Sequence, residues 1–146
     1  MARLGAPSRA AWKMSEKPGS KLKLRQMLLT HDDARYADED WWRAERPYLS
    51  LGPGSWGWLS AAMNSSAMIF RRGALESVNV PVLFVATTAD RLVSPAAIRR
   101  ALGRLPKAEA CIFGSEARHE ILREEDNPRL RAWAAIDDFL TRNTAR

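Results

Sequence analysis

The spacing of apolar positions changes near residue 76. Upstream, apolar residues recur at helical intervals; downstream, two short unbroken apolar runs alternate with helical stretches. In the upstream part, Thr30 and Asp33 form a capping-box pattern, predicting a helix from about Asp32 to Glu45. Tyr36, Trp41 and Trp42 supply its apolar side, and Pro47 ends it. Ser55 then stands at an N-cap position, with Leu59, Ala62, Met63 and Ile69 following at roughly helical spacing to Arg71. Gly73 suits the position after that helix. Downstream, the run from Val80 to Ala86 reads as a strand buried on both faces. Ser94-Pro95 opens a helix to about Leu105, and Glu109 to Phe113 forms a second strand. Asn127-Pro128 opens a last helix carrying Leu130, Trp133, Ile136, Phe139 and Leu140. Strand, helix, strand, helix predicts an α/β fold with a parallel sheet.

Composition narrows this picture without changing it. The chain has 146 residues, 46% hydrophobic and 27% charged, the proportions of a single globular domain. No apolar run approaches the roughly 20 residues of a membrane helix. The single cysteine, Cys111, excludes an internal disulfide and favours a cytoplasmic setting. It falls in a strand interior without the basic neighbours that generate a thiolate. The net charge of +6 raises the question of a nucleic-acid partner. Yet residues 1–25 hold seven bases and one acid, which leaves acids and bases equal in number over the rest. The excess therefore sits on an N-terminal arm with Gly5, Pro7, Pro18 and Gly19, not on a folded phosphate-binding face. Residues 1–26 read as a poorly ordered arm: a solvated lead-in or, as a second reading, an acid-free transit segment.

Two residues carry candidate chemistry. Asp90 lies just past the first predicted strand and His119 just past the second. Sites in open parallel sheets form outside the carboxyl ends of strands, so both would reach one rim. An acid that orients a histidine acting as general base is two thirds of a hydrolytic triad. Other polar residues have plainer readings. Glu120 and Glu124 are expected to cap or pair with Arg118 and Arg123 on a solvated face. His31, beside Asp32 and Asp33, reads as a turn before a helix rather than a metal ligand.

These motifs resemble a known group. The stretch from Val80 to Leu140, with its P-V-L strand, D-R-L-V acid loop and H-E-I-L-R-E histidine loop, resembles the C-terminal part of lysophospholipase and monoacylglycerol-lipase-like α/β-hydrolases. The preceding stretch from Leu29 to Ala62 resembles the helical lid of the lysophospholipase branch. The resemblance covers about residues 27–140, dividing the chain into a lid segment, 27–75, and a C-terminal core part, 76–146. It implies that Asp90 is the triad acid and His119 the triad base. Thr87-Thr88 departs from the pattern, because relatives usually carry a glycine there.

The nucleophile is a separate matter. Residues 53–57 read PGSWG, one residue short of the G-x-S-x-G elbow that presents a nucleophilic serine. An elbow needs a hydrophobic strand leading into it, and Ser55 follows a loop, so it reads as a helix cap. The other serines also lack an elbow. The chain is expected to be the C-terminal portion of a serine ester hydrolase for lysophospholipid or monoacylglycerol-like substrates, inactive alone, with no cofactor or metal. Expected partners are a lipid-like ester, a complementing N-terminal half and a peripheral membrane surface. The alternative is a non-catalytic module that binds lipid or a partner. Trp41, Trp42, Trp56 and Trp58 would line an acyl-chain path under the lid or simply pack it.

Overall fold

A computed structural model describes residues 6–12 and 23–144. Among the described residues, five α-helices, α1 (Lys23–Leu29), α2 (Asp33–Glu45), α3 (Trp56–Ile69), α4 (Pro95–Leu102) and α5 (Asp126–Thr144), accompany two strands, β1 (Val82–Thr87) and β2 (Ala108–Phe113). The described residues fall into two compact units.

The larger unit, residues 22–37 and 75–146, holds the sheet. β1 and β2 pair in parallel, from Val82 opposite Ala108 to Thr87 opposite Phe113. Since the connection between parallel strands must cross over, α4 fills it. Ser94 caps α4 by accepting the Ala97 N–H at 3.2 Å, and Pro95 occupies its first turn, where a missing N–H costs nothing. The core gathers on Phe113, Ala117, Ile121 and Ala132, with Val85 and Cys111 packed against it. Phe113 is 1% exposed, and the Arg131 guanidinium lies over its ring at 4.4 Å. Burial of that ring contributes a few kcal/mol, so Phe113→Ala would cost about 3–5 kcal/mol. Because the strands end in register, the loops after Thr87 and Phe113 leave the same edge of the sheet.

The start of α2 differs from its expected capping box. The helix begins at Asp33, one residue too late for Thr30 to cap it, and the Thr30 hydroxyl instead accepts the Asp32 N–H at 3.0 Å and donates to the Arg123 carbonyl at 2.7 Å. Asp32 caps instead, accepting the Arg35 N–H at 2.9 Å. Sequence reading also gave no sign of α1, which begins at Lys23 inside the stretch read as an arm.

In the smaller unit, residues 1–21 and 38–74, α3 begins where expected. Ser55 has extended backbone, and its hydroxyl accepts the Trp58 N–H at 3.1 Å. PGSWG is thus a helix start with no strand leading into it, which is the cap reading and not the elbow. Residues 6–12 of the basic arm are tied to this start. Ala10 pairs with Ser55 in an antiparallel bridge, and Trp56 N–H donates to Arg9 O at 3.0 Å and Gly57 N–H to Pro7 O at 2.8 Å. Trp12 meets Trp58 edge to face, centroids 6.2 Å apart. A side chain at Gly54 would stand 2.5 Å from the Trp12 ring, so only glycine admits this contact. Residues 1–5 and 13–22 of the arm lie outside the described residues.

Candidate active site

The site is built at the carboxyl edge of the two-stranded sheet. Thr88 N–H donates to Phe113 O at 2.9 Å, closing the ladder; from there the acid loop runs through Asp90. The Asp90 carboxylate turns back on its own loop. Its Oδ1 accepts the N–H groups of Leu92 at 2.7 Å and Val93 at 3.0 Å, which explains the short spacing of the D-R-L-V segment. That leaves Oδ2 to reach His119, whose Nδ1 lies 2.8 Å away. The structure therefore brings together the two residues picked from their places after the strands.

A carboxylate only accepts, so His119 Nδ1 carries the proton and Nε2 is left as the basic nitrogen. Burial pushes the Asp90 carboxyl up, but the Val93 N–H, the His119 ring and the Leu92 N–H together outweigh it and hold the group below its ordinary value. The Asp90 side chain is 6% exposed and that of His119 35%. The carboxylate is thus sheltered while the imidazole is reachable, the arrangement that proton transfer to an outside group would require. His119 borders an open cavity of about 380 Å³, which Val85, Ile121, Leu122 and Ile136 make largely apolar. Glu120 and Arg123 sit at the same cavity and pair with each other at 2.6 Å, as expected from their spacing.

Glu124 departs from its expected place on a solvated face. It is 0% exposed, and its carboxylate accepts the His31 N–H at 3.0 Å and the Arg118 N–H at 2.7 Å. The His31 ring also bonds it, Nδ1 lying 3.0 Å from Oε1. Arg118 turns its guanidinium to the Thr30 carbonyl instead, at 2.9 Å. Residues 28–31 run along the histidine loop: His119 N–H donates to Leu28 O at 3.4 Å and Glu120 N–H to Leu29 O at 2.8 Å. His31 lies in the bend before α2, as expected, and its ring also enters a polar joint built on the buried Glu124. Among the described residues, no cluster of three or more His, Cys, Asp or Glu could hold a metal ion. Sequence reading missed this joint because its halves are 93 residues apart.

Thr87-Thr88 does not need the glycine of its relatives. Among the described residues, no position other than Gly73 has positive φ, so the acid loop makes no use of glycine's freedom. The four tryptophans chosen as substrate-lining residues lie in the smaller unit and are exposed: Trp41 56%, Trp42 51%, Trp56 49% and Trp58 59%. Trp41 and Trp42 meet edge to face, centroids 4.8 Å apart.

With this geometry in place, likeness to known proteins can be set beside it. The model of the family described as serine aminopeptidase, S33, matches residues 4–126. The chain belongs to this family. The match begins further toward the N-terminus than the motif resemblance and takes in both Asp90 and His119. No curated protein matches. Among solved structures, a soluble variant of monoglyceride lipase from Saccharomyces cerevisiae, bound to a substrate analogue, superposes with a TM-score of 0.63 at 17% identity. The likeness covers 85% of this chain and 43% of that one, so the chain spans less than half of the lipase. The fold is that of an α/β-hydrolase, in the portion holding two parallel strands and their helices.

Proposed function

We propose that these residues supply the acid and the base of a serine hydrolase site that cleaves lipid-like esters of the lysophospholipid or monoacylglycerol kind. The observation that carries this reading is the 2.8 Å bond between His119 Nδ1 and Asp90, with the ring at an open apolar cavity. His119 Nε2 takes the proton of a serine hydroxyl as its oxygen bonds the ester carbonyl carbon. The protonated ring then gives that proton to the departing alcohol, leaving an acyl-enzyme. Water is activated by the same nitrogen to release the acid, and Asp90 holds the ring tautomer throughout. The apolar cavity suits an acyl chain better than a charged peptide terminus, and the monoglyceride lipase likeness supports the same substrate class.

No serine of these 146 residues stands in G-x-S-x-G, so turnover requires a nucleophile supplied by a complementing N-terminal half. In the test, the purified chain is assayed on a monoacylglycerol and on an aminoacyl anilide, alone and mixed with the nucleophile-bearing half of a family hydrolase. The expected result is no turnover alone and, in the mixture, ester cleavage that His119→Ala abolishes. Ester turnover that survives His119→Ala would overturn the assignment of the base. Cleavage of the anilide but not the ester would overturn the substrate class.

A further inference from the structure

Thr87 is an unusual last residue for a strand. It is 2% exposed, yet its hydroxyl makes three contacts that all belong to the two site loops. Oγ1 accepts the Ala89 N–H at 3.0 Å and lies 2.7 Å from Gly114 O and 2.9 Å from Ala117 O. The hydroxyl has one proton, shared between the two carbonyls, and a lone pair that takes the N–H. Ala89 immediately precedes Asp90, and Ala117 lies two residues before His119. One oxygen atom thus joins the beginning of the acid loop to the beginning of the histidine loop.

We infer that Thr87 is a positioning residue, a hydroxyl clamp that sets the separation of Asp90 and His119 without touching substrate. The inference rests on the reading of those two residues as the site's acid and base. Parallel strands in register bring the loops to one edge, but that leaves several ångströms of freedom where a charge-assisted hydrogen bond tolerates only a few tenths. Thr88 adds a lesser tie, its hydroxyl 3.2 Å from Phe113 O. The side chains of Leu92 and Val93 cannot substitute for the clamp, since both are exposed and only their N–H groups engage Asp90. The Thr87 hydroxyl supplies the local order that lets a non-glycine pair occupy this position.

The test uses the two histidines of the chain. Each places Nδ1 against a carboxylate, His119 on Asp90 and His31 on Glu124, so each should show a protected Nδ1–H resonance in the proton spectrum of nitrogen-15-labelled protein. In Asp90→Ala the His119 signal should vanish and the His31 signal stay. If both signals persist, the acid–base pairing itself fails, whatever Thr87 does. In Thr87→Val, which keeps the shape and removes the hydroxyl, the His119 signal should be lost to solvent exchange while that of His31 is retained. Thr87→Ser, which keeps the hydroxyl, should restore it. A His119 signal unchanged in Thr87→Val would overturn the clamp. Loss of both signals in Thr87→Val would also overturn it, by showing a general structural role. So would failure of Thr87→Ser to restore the His119 signal.

Discussion

Two histidine–carboxylate pairs lie within the same unit, and on distance alone they are indistinguishable. His119 Nδ1 stands 2.8 Å from Asp90, His31 Nδ1 3.0 Å from Glu124. Their surroundings separate them. Asp90 is held by N–H groups of its own short loop, and its histidine borders a cavity. Glu124 is fully buried and bonded to the Arg118 N–H of its own loop and to the His31 N–H, 93 residues away, so it fastens residues 28–31 to the histidine loop. One pair leaves its imidazole reachable at a cavity and the other ties two stretches of chain together. Two histidines at the same distance from an acid thus differ in what holds the acid and in whether the ring borders a cavity.

Substitutions should pull the two pairs apart. The largest effect is expected on turnover: in the complemented hydrolase, His119→Ala should lower kcat about 10⁴-fold, equivalent to roughly 5 kcal/mol. The same change should move the unfolding free energy by under about 1 kcal/mol, since the ring is one-third exposed. The reverse pattern is expected at the joint. Glu124→Ala leaves two backbone N–H groups and the His31 ring without their acceptor in a dry site, and should cost about 3 kcal/mol in urea unfolding. A cost below about 1 kcal/mol there would show that the buried pair does not hold the loop.

A smaller effect is expected at the start of α3. Ser55→Ala should lower stability by about 1 kcal/mol through the lost Trp58 N–H bond and leave ester turnover of the complemented enzyme unchanged. A collapse of turnover in that variant would reinstate PGSWG as part of the site. The smallest effect concerns acid. The Asp90 value is depressed in the folded state, so its contribution is present above the unfolded value of about 3.9 and is lost as pH falls through the folded one. Asp90→Asn should therefore flatten the acid limb of the stability profile, below about pH 4, and an acid limb of unchanged slope in that variant would count against the depression.

What was legible in the sequence was local. Ser55 and Ser94 each cap a helix through an N–H three residues on, a bond that lies within the reach of a short window of sequence. The unbroken apolar runs announced strands, and their alternation with helices announced a parallel sheet, because parallel strands need a crossover. From that followed the shared edge, and so the candidacy of Asp90 and His119. The tertiary structure alone decided the rest. Glu124 reads as a surface acid from its neighbours, and only contact with residues 93 positions away makes it a buried joint. Thr30 looks like a helix cap, but its hydroxyl bonds the Asp32 N–H and the distant Arg123 carbonyl, and Asp32 caps α2. Residues 6–12 look structureless until they meet residues 54–57. The physical reason is common to all three. The partner of a polar group can come from a segment far along the chain, which a short window of sequence does not contain.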